Sequence, residues 1–214
     1  MVATSNLIAD RLRTAILRGE LRSEESLPQD KLAHEMGVSK IPLREALAEL
    51  KVEGLVTYKS NRGAFVTALS AQDARELYLM RTALETLALE QAIPKLGKTD
   101  IARANSALLM IDAEDDARMW AELNWDFHRA LYSPAGMPNL VEMIQQLHVN
   151  VGRYIVLYLD QMAFQSKSQA EHYQILEACQ AGDLDAALGT LTRHLEDASQ
   201  SLQAYLTTSR EGDA

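Results

Sequence analysis

Cysteine, proline, glycine and aromatic residues are all scarce in this chain, and each scarcity removes a class of protein. The single Cys179 excludes an internal disulfide framework and fits a reducing compartment; on a helical apolar face it reads as core. Ten Gly and five Pro in 214 residues argue against a disordered or β-rich chain. No apolar run approaches the roughly 20 residues that cross a bilayer. Met1-Val2-Ala3-Thr4-Ser5 has neither the basic nor the apolar region of a signal peptide. The expectation is a cytoplasmic protein without membrane contact. What is present in quantity is apolar material, 47% of residues, enough for one or two domains with their own cores.

Net charge is −9, which looks wrong for a nucleic-acid binder until the chain is divided. Residues 1–70 hold 10 basic against 9 acidic side chains, and residues 71–214 hold 11 against 21. Acidity therefore belongs to the second part. Phosphate-dependent affinity needs only a local basic face, and Arg11, Arg13, Arg18, Lys31, Lys40, Arg44, Lys51, Lys59 and Arg62 can supply one.

The most informative stretch is Ser39-Lys40-Ile41-Pro42-Leu43-Arg44-Glu45-Ala46-Leu47. Ser39 is an expected N-cap whose hydroxyl accepts from first-turn amides. Pro42 is tolerated in the first turn, and Leu43, Ala46, Leu47 and Leu50 recur at helical spacing as one buried face. Lys40 and Arg44 lie off that face, where a major-groove helix makes its base and phosphate contacts. Upstream, Leu32 to Val38 reads as a short helix closed by Gly37. Leu7, Ile8, Leu12, Ile16 and Leu17 form a stripe to cover the pair. Downstream, Val56-Thr57-Tyr58-Lys59 and Ala64-Phe65-Val66-Thr67 read as strands around Ser60-Asn61-Arg62-Gly63. A hairpin after a helix-turn-helix is a wing. The DNA-facing set is Arg11, Lys31, Ser39, Lys40, Ile41, Pro42, Arg44, Lys51, Arg62 and Gly63. A small helical domain with ordinary surface charges is the alternative, against which order, lengths and punctuation agree.

From about Leu7 to Val66 the chain resembles the GntR family of bacterial transcription regulators. The residues that carry the likeness are Leu32-Ala33, Gly37-Val38-Ser39, Pro42-Leu43-Arg44-Glu45-Ala46-Leu47, Leu50, Glu53-Gly54-Leu55 and Arg62-Gly63. The family usually has Arg at the position of Lys40, and Lys lacks the planar fork that pairs two acceptors on guanine. Glu24 and Glu25 stand in a loop where the family often has Pro-Gly.

Ala68 to Asp73 marks the expected boundary between a DNA-binding domain at 1–70 and an all-α effector-binding and dimerisation domain at 71–214. Helices are expected near 72–92, 99–112, 116–132, 137–160, 166–181 and 183–206, with a frayed tail at 207–214. Short connections make them an antiparallel bundle. Asn124 and His128 share one face of a helix, while His172 and His194 fall on the fifth and sixth helices. Facing helices build metal sites in bundle cores from such nitrogen donors; singly, each histidine reads more readily as a half-buried surface residue.

Glu76 to Ala204 resembles the FCD ligand-binding domain of the FadR-type subfamily, and the six-helix count is closer to its VanR-type branch. The marks are Arg81 with Glu85, Asn124-x-x-Phe127-His128, Glu171-His172-x-x-Ile175 with Ala178, Gly182-Asp183, Ala186 and His194-Leu195. The resemblance implies a divalent metal (Zn, Ni or Mn) held at Asn124, His128, His172 and His194. Asn124 offers a neutral carbonyl oxygen where Asp is common, which favours a carboxylate effector completing the shell. Arg81, Arg153 and Tyr154 are effector-binding candidates, Arg81 having an interhelical salt bridge with residues such as Glu85 as its alternative. His148 fits packing better than ligation, and Asp126 faces solvent. Glu114-Asp115-Asp116 is a solvated helix start. Met110, Met119, Met137 and Met143 are expected to fill core gaps, and Trp120 and Trp125 to line the pocket.

The expectation is a mostly α protein, an N-terminal winged helix-turn-helix followed by an all-α antiparallel bundle. It would act as a homodimeric transcription regulator, two copies reading the half-sites of a pseudo-palindromic double-stranded DNA operator, and answer a small organic acid by repression relieved on binding. A metal-dependent helical enzyme and a metal-free acyl-thioester sensor are the alternatives. The enzyme lacks a Glu one turn from the histidines and a His-Glu-x-x-His run, and would leave the winged helix unexplained.

Overall fold

A computed structural model describes residues 4–17, 19–68, 70–114, 116–159 and 164–211, with backbone alone at 117–118, 153–159, 164–165 and 208–211. The chain divides into two compact units, Met1–Leu69 and Ser70–Ala214, and each is described by itself.

The first unit runs α1 (Thr4–Leu17), β1 (Ser26–Leu27), α2 (Gln29–Met36), α3 (Lys40–Val52), β2 (Val56–Lys59) and β3 (Gly63–Val66). Helix α1 buries Ile8, Ala9, Leu12 and Ile16 and packs on α3. Leu7, expected in that stripe, is 59% exposed. Helix α2 ends at Gly37, whose φ of 66° places it in the left-handed region, and the Val38 amide returns to the Ala33 carbonyl at 3.0 Å. This reversal lets α3 start at once. Leu43, Ala46, Leu47 and Leu50 are the buried face of α3, as its periodicity requires.

Ser39 corrects an expectation. It occupies the N-cap with extended backbone, but its side chain makes no cap hydrogen bond. An N-cap oxygen accepts from the second or third helical amide, and here the third helical residue is Pro42, which has no N–H to give.

Strands β2 and β3 pair antiparallel with Val56 opposite Val66 and Lys59 opposite Gly63. Asn61, at φ 58°, makes the tight reversal that the wing tip needs. The two-residue strand β1 adds a third edge, Leu27 opposite Ala64, and sequence reading had left it as loop. A strand of two residues has no alternation to detect.

The second unit is α4 (Ala71–Ala92), α5 (Lys98–Asp112), α6 (Ala117–Tyr132), α7 (Pro138–Leu159), α8 (Phe164–Ala181) and α9 (Leu184–Glu211). Helix α4 packs on α9, α7 and α6; α5 packs on α6 and α8, and α8 on α9. Asp183 caps α9 by accepting from the Ala186 amide at 3.0 Å. That helix continues to Glu211, past the expected end at 206, so residues 207–211 are helical rather than frayed.

Met110, Met119, Met137 and Met143 do not fill the core: they are 54, 42, 38 and 54% exposed. Helical period places a residue on a face but does not say whether anything covers it. Cys179 is buried, as are Trp120 and Phe127. Among the described residues no helix is long and apolar enough to cross a membrane.

Candidate metal centre and nucleic-acid interface

Three helices bring one histidine each to a single point in the second unit. A ring nitrogen from each of His128, His172 and His194 lies within 4.8 Å of the other two, and all three side chains are buried. Phe127 covers one side, its ring 4.9 Å from that of His172 and 5.0 Å from that of His128.

The outer partners decide which nitrogen each ring offers. Tyr132 donates its hydroxyl proton to Glu85 Oε2 at 2.7 Å. The His128 Nδ1–Tyr132 contact at 3.0 Å must therefore be donated by the ring. Gln169 points its amide nitrogen at the Leu108 carbonyl and Asp112, which turns its oxygen toward His172 Nδ1 at 3.2 Å. His194 Nδ1 meets Glu171 Oε2 at 2.8 Å. Each Nδ1 is thus a donor, and each Nε2 keeps its lone pair. Two of those atoms, His128 Nε2 and His172 Nε2, are buried with no hydrogen-bond partner, and so is Asn124 Oδ1, one turn from His128 on α6.

Burial, helped by the neighbouring imidazoles, pushes the His172 pKa well below the usual value. Burial does the same at His128 against the pull of Glu85. Neutral rings with inward lone pairs are what a divalent cation requires of histidine. Orphaned, buried acceptors are otherwise costly, so this donor set fits a metal.

Beside it lies a buried charge pair. Arg81 Nε donates to Glu85 Oε1 at 2.7 Å, with exposures of 3 and 0%. Burial alone would raise the Glu85 carboxyl, but the Arg81 guanidinium together with His148 and His128 more than reverses this and holds it well below the usual range. Of the two readings of Arg81, the ion pair with Glu85 is the one present, though within α4 at i,i+4 rather than between helices. Arg81 Nη2 also reaches His148 Nε2 at 3.0 Å, an atom that lies 3.2 Å from Glu85 Oε1 as well, and burial and then the arginine lower the His148 pKa to about 4 against the pull of Glu85. His148 stands in this pair's network, outside the three-histidine group, with Trp125 against its ring at 4.8 Å. The side chains of Arg153 and Tyr154 lie outside the described residues, as does Asp115. Asp126 is exposed and pairs with Arg129 at 2.8 Å.

Sequence reading missed Tyr132 and Gln169 as the groups that orient two of the rings. Their positions, four after His128 and three before His172, place each beside its ring on a helix and were the available signal.

In the first unit the start of α3 is open. Ile41 is 70% exposed, and Lys40 and Arg44 are exposed beside it. Lys40 is ion-paired with Asp30, and Arg44 Nε donates to Gln29 Oε1 at 3.0 Å. Lys31 lies 3.8 Å from Glu35. Lys59 pairs with Glu24 at 3.2 Å and sits over the Phe65 ring, as does Arg62 at 5.8 Å. Lys51 lies 5.7 Å over Tyr58, and Arg11 is exposed on α1. Arg13 leaves the basic face: it is tied to Glu53 at 2.8 Å, and to Glu49 and Asp10, and Glu53 and then Asp10 raise its pKa against burial. Arg18 lies outside the described residues.

A winged helix with an open, cationic first turn, joined in sequence to a separate helical unit built round a histidine cluster, defines the class as a DNA-binding regulator. Residues 4–66 match the model of the bacterial regulatory proteins of the gntR family, and residues 76–197 match the FCD domain; the chain belongs to the GntR family, in its FCD-bearing part, and is a DNA-binding transcriptional regulator rather than an enzyme. It is 28% identical over 204 residues to the HTH-type transcriptional regulator BphR of Paraburkholderia xenovorans (strain LB400), spanning 91% of this chain and 83% of that one. It is 26% identical to the HTH-type transcriptional repressor GlaR of Escherichia coli (strain K12), spanning 86 and 89%. Among solved structures, a GntR-type transcriptional regulator from Rhodococcus sp. RHA1 superposes with a TM-score of 0.81 at 27% identity, covering 94 and 97%.

Proposed function

We propose that this regulator is a cytoplasmic homodimeric repressor whose grip on a pseudo-palindromic operator is released by a small organic acid bound at a divalent metal in the helical unit. Lys40, Ile41 and Arg44 enter the major groove, with Ser39 and Pro42 shaping the entry of the helix. Arg62 and Gly63 follow the backbone or minor groove, and Arg11, Lys31 and Lys51 meet phosphates. GlaR, named a repressor, supports that polarity.

His128, His172 and His194 would hold the metal through Nε2, with the Asn124 carbonyl oxygen as a fourth donor. A bound divalent ion supplies fixed positive charge and open positions for a carboxylate oxygen. The chain's own part is to exclude water with Phe127 and Trp120, and to fix the rings through Tyr132, Gln169 and Glu171. Arg81 lies two residues beyond His128, through Tyr132 and Glu85, and is the candidate anion contact with Arg153 and Tyr154. Because Asn124 adds no negative charge, the four-donor set stays more positive than one with a carboxylate and favours an anionic ligand. An acid of this kind weakens operator binding only as far as it prefers the arrangement that fits DNA less well.

The observation that carries the metal reading is the trio of Nδ1 donors, each locked by a different acceptor. Metal content of the purified protein tests it: about one equivalent of divalent metal per chain is expected, and a loss in His172→Ala. Equal, negligible metal in both would overturn it.

A further inference from the structure

The first turn of α2 touches Lys40 and Arg44, the two cations near the start of α3, and it treats them differently. Gln29 and Asp30 are its first two residues. The Gln29 side-chain oxygen holds Arg44 Nε at 3.0 Å, and the Asp30 carboxylate is paired with Lys40. An amide carbonyl orients a guanidinium without discharging it, whereas a carboxylate cancels the ammonium it holds.

We infer that Gln29 is a positioning residue for base reading and Asp30 a brake on phosphate attraction. The base preference of this protein then rests on Arg44 while Lys40 contributes little. With Nε occupied by Gln29, the two terminal nitrogens of Arg44 form the edge left to face the acceptors of guanine. Fixing that edge before contact removes part of the ordering cost of a long, flexible side chain. The unit as a whole is nearly neutral, 10 basic against 9 acidic side chains over residues 1–70, so cancelling one ammonium at the groove face matters. This inference rests on α3 entering the groove.

The full-length protein is used to select its preferred site from a randomised duplex pool. Affinities for that site and for a scrambled duplex are then measured over a range of salt, for the wild type, Gln29→Ala, Gln29→Glu, Asp30→Asn and Arg44→Ala. Thermal melting is compared throughout to show that each variant is folded. Gln29→Ala is expected to lower the ratio of preferred to scrambled affinity by about 3- to 10-fold, with scrambled binding unchanged. Gln29→Glu still accepts from Nε but offsets the guanidinium charge as Asp30 does that of Lys40, so it keeps the ratio above that of Gln29→Ala while weakening both duplexes. Asp30→Asn tightens both duplexes alike and steepens the salt dependence by about one phosphate contact. An unchanged ratio in Gln29→Ala, or an equal fall on both duplexes, overturns the positioning role. Unchanged scrambled affinity in Asp30→Asn overturns the brake. Should Arg44→Ala keep the full ratio, the groove assignment of α3 fails first, and this inference with it.

Discussion

A guanidinium and a carboxylate stay charged in a protein interior only while each answers the other, and Arg81 and Glu85 are 3 and 0% exposed. Removing one partner leaves the other desolvated and unpaired, which costs about 3–5 kcal/mol, more than the pair itself contributes. Arg81→Met is therefore expected to lose stability on that scale in urea unfolding, and the double change with Glu85→Leu to lose less than the single one. Equal losses would show that Glu85 does not depend on Arg81. The histidines add a pH dependence whose sign is fixed by burial. The folded pKa values of His128 and His172 lie well below 6.5, so as pH falls through about 6.5 the unfolded chain takes up protons first. Each such imidazole costs about 1.4 kcal/mol of stability by pH 5.5. Glu85, also held low, begins to act only below its usual carboxylate value of 4.5. Metal-free protein should thus melt at steadily lower temperature from pH 6.5 downward, with a second decline below about 4.5. A melting temperature flat between pH 7 and 5.5 would contradict neutral, buried rings.

Two serines stand at helix starts, and only one is a cap. Ser70 accepts from the Asp73 amide at 2.9 Å, so Ser70→Ala should cost about 1 kcal/mol. Ser39 faces Pro42 where that amide would be, so Ser39→Ala should cost only a few tenths by the same unfolding measurement. A loss near 1 kcal/mol at Ser39 would mean that Ile41's amide takes over the cap. The pair shows what was legible in the sequence and what was not. Helix positions followed from 3.6-residue spacing, because Leu43, Ala46, Leu47 and Leu50 must share a face whatever covers it. Partners did not follow: Ser39 needed a donor three residues on, and proline there removed it. Asn124 and His128 were legible as neighbours, one turn apart, but spacing could not say that His172 and His194 meet them, and only the likeness to the FCD domain grouped the four. The tautomer of each ring was not legible, because Tyr132, Gln169 and Glu171 are set by packing between helices. The exposed methionines failed for the same reason, periodicity being blind to the neighbour.

At the scale of the molecule, one helix face has more apolar surface than a lone chain needs. On α4 the side opposite the buried Tyr78, Arg81, Glu85 and Leu89 presents Leu79, Met80, Ala83 and Leu87. Leu79, Met80 and Leu87 are 55, 46 and 38% exposed. A contiguous apolar face of this kind marks an association site, and a second copy of the chain meets the other demand of the molecule. A single recognition helix reads too few base pairs for useful specificity, and a two-fold pair matches a two-fold operator. Met80→Glu with Leu87→Glu places two like charges in that face without touching the core. Sedimentation equilibrium should then report a monomer, against a dimer expected for the unchanged chain. Operator affinity should fall by about 100-fold or more, since the second half-site no longer binds as part of one molecule, while scrambled duplex should lose far less. A double variant that remains dimeric would move the interface elsewhere, and a monomer that keeps full operator affinity would remove the need for two copies.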